Sequence, residues 1–260
     1  MDYLAFIAEL HDRLRPRSYL EIGVRSGESL ALSRCESIGI DPNFEVREEL
    51  RSRTSLFRST SDEYFESLGA GSPFDGMPID LAFIDGMHLL EFVIKDFANV
   101  ERYSEGSTVV ILDDVLPRST DEAARDRHTR AWTGDVFKVS EVLASVRPDL
   151  SLVLVDTQPT GLLLVHGLDP LNRQLTEHFD DIVRTHIASD PQVVPSEVLT
   201  RSRALTPEKA LDLPVWDDLR SRRGRHRLTR DRISRLDASS RQSRSFSRKW
   251  RRRTPPDRQT

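Results

Sequence analysis

Cysteine occurs once in 260 residues, at Cys35, so no intramolecular disulfide can staple this chain and its fold must rest on a hydrophobic core. No apolar run approaches the roughly 18 residues that span a bilayer, and the first residues lack a basic stretch followed by an apolar one. These absences predict a soluble protein of a reducing compartment, the cytoplasm. Lysine is scarce, four against 34 arginines. Aliphatic residues are few in 220–260, which hold 15 Arg and one Lys against three Asp, a net charge of +13. That segment is expected as a disordered Arg/Ser-rich basic tail, with Phe246 and Trp250 among its cations. Nucleic acid or an anionic surface suits it as a partner. Codon bias, and a tail that touches only the acidic body, account for the same composition. Residues 1–219 carry 22 basic and 39 acidic residues, net −17, which the whole-chain charge of −4 conceals.

Within that acidic body, short apolar runs alternate with amphipathic stretches. Apolar positions 3, 6, 7, 10 and 14 have helical spacing, and Pro16 ends the pattern. Strands are then expected at 18–22, 37–40, 55–58, 79–84 and 109–112, with helices at 26–33, 44–51, 62–68 and 89–103 between them. Runs such as "DLAFI" and "VVIL" suit a parallel sheet covered on both faces. Residues 121–146 read as helix broken near "WTGD". Strands 151–156 and 161–166 are joined by only Thr157-Gln158-Pro159-Thr160, which permits antiparallel pairing alone. The fold class is therefore α/β, a doubly wound, mostly parallel seven-stranded sheet closing with an antiparallel hairpin. A last helix is expected over 172–187. The domain would run from 1 to 189, with 190–219 a Pro-containing linker packed through Trp216, and the leading helix offers a surface for a second subunit.

Two turns carry candidate chemistry. The first strand runs into "EIGVRSGES", residues 21–29, where glycines let backbone approach a ligand and exposed N–H groups face it. It is not a dinucleotide fingerprint, because Arg25 and Glu28 stand where G-x-G-x-x-G requires glycine. An acid before the first glycine disfavours a pyrophosphate and suits a ligand with a cationic amino group. Asp41, in "GIDP" after the second strand, is placed to accept from two ribose hydroxyls. Taken singly, each motif also serves as a tight turn or a helix cap. The second feature is a pair of apolar runs ending in acid: "FIDGMH" places Asp85 and His88, and "VVILDD" places Asp113 and Asp114.

On "EIGVRSG", "GIDP", the strand-end "IDG" and the closing hairpin, residues 15–170 resemble the class I S-adenosylmethionine-dependent methyltransferases, whose fold is Rossmann-like. The resemblance implies that Glu21, Gly23, Gly27 and Ser29 hold the methionine and ribose groups, Asp41 the ribose, and Ser61 and Asp62 the adenine. Strands four and five are neighbours in that family's sheet, which puts Asp85, Asp113 and Asp114 on one rim. Three such carboxylates repel unless protons or a cation hold them, and Mg²⁺ is the economical cation. The chain is also similar to the metal-dependent small-molecule O-methyltransferases, of the catechol and the sugar or antibiotic-tailoring types. There the matching acids bind the metal and a base lies three residues after the first, here His88. What this implies is transfer of a methyl group to a small hydroxylated acceptor such as a sugar or natural product. Competing readings are a metal-independent methyltransferase and a nucleic-acid-binding protein that works through its tail. "AWTGDVFK" offers Trp132 and Asp135 where a substrate-covering segment would lie, or a helix packing seam; His128 and His166 read as structural.

Overall fold

Alternate residues of the central strands go to two different cores. The strands are β1 (Ser18–Ile22), β2 (Glu36–Ile40), β3 (Thr54–Phe57), β4 (Leu81–Ile84), β5 (Val109–Leu112), β6 (Ser151–Val155) and β7 (Leu162–His166). Leu20, Ile22, Ala82, Ile84, Val110 and Leu112 join the core on one face. Tyr19, Leu81, Phe83, Val109 and Ile111 join the other. Period-two alternation makes both destinations apolar, which is why these runs read as continuous. Helix α1 (Tyr3–Leu14) buries Phe6, Ile7, Leu10 and Leu14 against the second core, so its apolar face is spent within its own domain. Helices α2 (Ser61–Ser67), α3 (Leu90–Glu101) and α4 (Val139–Val146) contribute to the first.

This computed structural model describes residues 1–223. The sheet order is β3-β2-β1-β4-β5-β7-β6, parallel from β3 to β5, with β7 antiparallel to both β5 and β6. This is the expected seven-stranded, mostly parallel sheet with its closing hairpin. The chain moves outward from β1 to β2 and β3, then returns to β1's other side with β4. The β1/β4 boundary is therefore the switch point, where a crevice opens at the carboxyl ends of the strands. Among the described residues, no helix is long and apolar enough to cross a membrane.

Several expected helices are absent or shorter. Only a 3₁₀ turn, Leu30–Leu32, forms within 26–33, and 44–51 is irregular. The N–H groups of Glu45 and Arg47 donate across to the carbonyls of Arg25 and Ser26, at 2.8 and 2.9 Å. Those donors are consequently lost to a helical ladder. Residues 121–133 also form turns rather than helix, because Asp190 accepts from the amides of Arg125 and Asp126, each at 3.0 Å. The expected 172–187 helix is two pieces, α5 (Gln174–Glu177) and α6 (Phe179–His186).

Residues 190–219, expected as a linker, fall in the same compact unit as the sheet, Met1–Leu219. Their short helices are α7 (Ser196–Leu199) and α8 (Pro207–Leu211). Leu205 bridges the outer strand β6: its N–H donates to Leu154 at 2.8 Å and its carbonyl accepts from Asp156 at 2.9 Å. Edge groups of the sheet are thereby covered. Trp216 is 1% exposed, and its indole N–H donates to the Ala210 carbonyl at 2.7 Å. Leu219 is the last residue of that unit. From 224 on, the expected disordered tail and its partner lie outside the described residues. If 190–219 belongs to the fold, Trp216→Ala destabilises the protein by about 3–5 kcal/mol, read as a fall in Tm of roughly 10 °C. A change under about 0.5 kcal/mol, as at a solvated linker, would return the segment to that role.

Candidate active site

Parallel register decides whether the acids meet. Ile84 of β4 pairs with Leu112 of β5, and the Asp113 amide donates to the Ile84 carbonyl at 3.1 Å. Asp85 and Asp113-Asp114 therefore leave the sheet side by side. On β4's other side the Asp85 amide donates to Ile22 at 2.8 Å, and Gly23 donates to Ile40 at 2.9 Å. The ends of β2, β1, β4 and β5 form one continuous rim.

Gly23 has a reason beyond ligand approach. Its φ is +91°, and a Cβ there would stand 1.9 Å from the Asp85 carbonyl oxygen. Only glycine permits that packing. Gly134 (φ +55°) does the same at His88, whose carbonyl oxygen lies 1.7 Å from where a Cβ would be.

Above the rim lies a cavity of about 720 Å³, within the usual range for small-molecule sites. Of the residues expected to bind cofactor, Gly23, Asp41, Ser61 and Asp62 line it. Asp41 accepts from the amides of Arg25 (2.8 Å) and Asn43 (2.6 Å), which fixes its carboxylate while leaving lone pairs for a ligand. Ser61 and Asp62 open α2 behind a capping box made by Thr60 and Glu63. Glu21, Gly27 and Ser29 are not on the cavity wall. Glu21 is fully buried, accepting from the Tyr19 hydroxyl at 2.5 Å and from Ser29 at 2.8 Å. Strand alternation puts it on Tyr19's face. Burial pushes its carboxyl up to about 8 against those two hydrogen bonds.

At the β4–β5 end, Asp85, His88, Asp113 and Asp114 all line the cavity. His88 stands between two of the carboxylates. Its Nε2 is 3.0 Å from Asp85 and its Nδ1 2.8 Å from Asp114, while Nδ1 also lies 2.8 Å from the Trp132 carbonyl. Burial opposes charge on this imidazole, but its bonds to Asp114 and Asp85 outweigh that and push it up to about 11. This arrangement favours the protonated imidazole beside its two carboxylates, whereas the family resemblance implies a base at His88. Asp113 turns inward, accepting from the Asp114 amide at 2.7 Å. Burial, then Asp114 and Asp85, hold it well above the usual carboxylate range.

The expected metal set was Asp85, Asp113 and Asp114. Among the described residues, the structure gathers Asp85, His88 and Asp114, each offering one donor atom within 4.8 Å of the others. Ligands about 2.1 Å from a divalent ion sit roughly 3–4 Å apart, so this set would have to draw in to hold one, and its imidazole nitrogen suits a borderline ion better than Mg²⁺.

Other cavity residues gave no signal in the sequence. Tyr3 reads as part of α1's apolar stripe, yet it lines the cavity. Its hydroxyl is kept protonated by burial and by Asp85 and Asp113. Asp96 looks like a polar interruption of α3 but is 3% exposed on the cavity wall. Trp132 lines the cavity and stacks on His88, with ring centroids 5.3 Å apart and planes 16° from parallel. Asp135, its expected companion, is instead fully buried, accepting from Arg125 at 2.7 Å and from the Leu90 amide at 3.0 Å.

Comparisons with known proteins follow this geometry. The family model "Methyltransferase domain" matches residues 20–115. No curated protein matches the chain. Among solved structures, cofactor-bound Rv0187 from MTB is similar at 16% identity, covering 64% of this chain and 81% of that one, with a TM-score of 0.49. The Bacillus cereus O-methyltransferase in complex with SAH shares 16% identity over 64% of this chain and 80% of its own, TM-score 0.46. TomG from Streptomyces achromogenes, an O-methyltransferase of tomaymycin synthesis in complex with SAM, shares 21% over 63% and 79%, TM-score 0.45. The resemblance to the class I S-adenosylmethionine-dependent methyltransferases stands, and residues 20–115 are the stretch that the family model matches.

Asp96 gives a test of the buried wall. Burial pushes its carboxyl up to about 7, with a hydrogen bond from Ser61 acting the other way and Asp62 adding to the rise. The folded state thus binds a proton that the unfolded chain releases near pH 4. That stabilisation is fully present below pH 4 and lost as pH rises to 7. Asp96→Asn should therefore gain on the wild type by about 2–4 kcal/mol between pH 4 and pH 7 and hold level above, measured as the difference in Tm. A difference independent of pH would show that Asp96 ionises as freely folded as unfolded.

Proposed function

We propose that the chain transfers a methyl group from S-adenosylmethionine to a hydroxyl oxygen of a small acceptor, such as a sugar or natural product. The observation that carries this is the convergence of Asp85, His88 and Asp114 on the same cavity as Gly23, Asp41 and Ser61. The β1–β2–β3 ends supply a place for the cofactor, and the β4–β5 ends a place for the reacting oxygen. Asp41 accepts from the ribose hydroxyls. Ser61 and Asp62 meet the base.

As the acceptor oxygen bonds to the methyl carbon, the carbon–sulfur bond breaks and its electron pair neutralises the sulfonium. The acceptor's proton leaves to a carboxylate of the cluster or to water. Because the leaving group is already activated, alignment of oxygen, carbon and sulfur supplies most of the rate. Asp85 and Asp114 orient the hydroxyl, and Trp132 with Tyr3 excludes water. Asp85, Asp114 and His88 would hold a divalent ion, whose Lewis acidity lowers the pKa of a bound hydroxyl. A specific observation also favours a metal-independent form: both nitrogens of His88 already pair with the carboxylates, which balances their charge without an ion.

S-adenosylhomocysteine at a hundred times its Kd should stabilise the protein by about 2.7 kcal/mol, raising Tm by roughly 5–11 °C, with no shift from NAD. Asp41→Ala should weaken that binding about tenfold. Asp85→Ala should spare binding but lower transfer about 100-fold or more. No shift with S-adenosylhomocysteine would sink the proposal. Loss of transfer in EDTA, restored by a divalent ion, selects the metal form; transfer unchanged in EDTA selects the imidazolium form.

A further inference from the structure

The turn-rich segment after β5 brings two cations to the cavity that no part of the reading above uses. Arg127 and Arg130 both line it, beside Ala131 and Trp132. Neither has a carboxylate partner among the described residues. Their neighbours on the same segment do: Arg125 takes Glu91 at 2.6 Å and Asp135 at 2.7 Å, and Arg118 is bound to Glu122. In a body of net charge −17, both arginines stand exposed on one cavity wall without a carboxylate partner among the described residues, which leaves their charge open to a ligand. The Arg127 guanidinium lies 5.7 Å from the Trp132 ring centroid, and the same ring stacks on His88. Arg127 is thus at most two ring contacts from the acid cluster. Arg130 also walls an adjoining hollow of about 530 Å³.

Sheet order separates these cations from the cofactor end. Gly23, Asp41 and Ser61 follow β1, β2 and β3, whereas the segment holding Arg127 and Arg130 follows β5. A ligand with its hydroxyl at Asp85 and Asp114 and its other end under Arg127 and Arg130 spans the second half of the crevice.

We propose that Arg127 and Arg130 form an anion subsite, so that the acceptor is a hydroxylated molecule carrying a phosphate or carboxylate, with an unsaturated or ring portion against Trp132. This assignment of an acceptor rests on the methyltransferase reading; the anion subsite does not. Arginine's planar fork donates two parallel hydrogen bonds to a phosphate or carboxylate, stronger than neutral ones. Anion and hydroxyl held at opposite ends also fix which oxygen faces the methyl group.

The test is calorimetric titration of the full chain with phenyl phosphate, benzoate and neutral benzyl alcohol, with and without S-adenosylhomocysteine. Wild type is compared with Arg127→Ala/Arg130→Ala, so that anion binding by the basic tail, identical in both, cancels. Phenyl phosphate or benzoate is expected to lose about tenfold in affinity in the double variant, while benzyl alcohol is unchanged. Loss for phenyl phosphate alone assigns a phosphate-bearing acceptor, and loss for benzoate alone a carboxylate. Equal anion binding by the two proteins overturns the subsite. Failure of S-adenosylhomocysteine to bind wild type defeats the methyltransferase reading, and the difference between the two proteins still decides the subsite.

Discussion

Parallel register between β4 and β5 imposes the charge problem on which the site depends. Once Ile84 pairs with Leu112, the residues that follow must emerge together, and they are Asp85, Asp113 and Asp114. Each carboxylate raises the cost of ionising the next, and burial raises it further. The structure distributes that cost in three ways. Asp113 turns in toward the Asp114 amide, Asp85 and Asp114 close on His88, and one face of the group opens to the cavity. Protons or a cation must offset that cost, and the His88 ring lies within 3.0 Å of both Asp85 and Asp114.

Holding that group in place falls to backbone contacts that tolerate no side chain. Gly23 sits against the Asp85 carbonyl and Gly134 against that of His88, so the two residues that frame the charge cluster are each braced by a left-handed glycine. His88 and Asp114 themselves adopt positive φ, 53° and 62°. Strained backbone of this kind persists where surrounding structure over-determines it. Here the bracing comes from β1 on one side and from the 3₁₀ turn Gly134–Lys138 on the other.

Strands, sheet type and closing hairpin were legible because they rest on local signals, continuous apolar runs and a four-residue connection, while the adjacency of strands four and five came from the family resemblance. Legibility stopped where long-range hydrogen bonds overrode local spacing. "FEVREELR" has helical periodicity, yet its donors at Glu45 and Arg47 go to Arg25 and Ser26. Residues 190–219 carry prolines and weak periodicity, and it is long-range contacts, the pairing of Leu205 with β6 and the burial of Ala210, Leu211, Trp216 and Leu219, that join them to the sheet's unit. At the site, Asp41 follows from its position after the second strand, and the meeting of the β4–β5 acids from the family's strand order. Glu21 did not, since alternation in β1 turns it toward Tyr19. Tyr3, Asp96 and the two arginines were invisible because a cavity wall is assembled from elements whose separation in sequence carries no period.

The covering segment shows how an irregular stretch can still place a functional group. Residues 121–133 have little secondary structure, yet Trp132 is fixed against His88. Three anchors account for this. The indole N–H of Trp132 donates to Ala124 at 2.6 Å, Thr133 ties back to Glu122 at 2.9 Å, and Arg125 joins Glu91 of α3 to the buried Asp135. Lys138 adds a further tie by donating to the His186 carbonyl and the Gln192 side chain, at 2.8 and 2.6 Å. A buried carboxylate is stable only when fully partnered, and Asp135 has Arg125, Lys138 and the Leu90 amide. The segment that roofs the site is therefore fastened at once to the start of α3 and to residues 186–192. Arg125 is spent on this fastening, while Arg127 and Arg130 line the cavity.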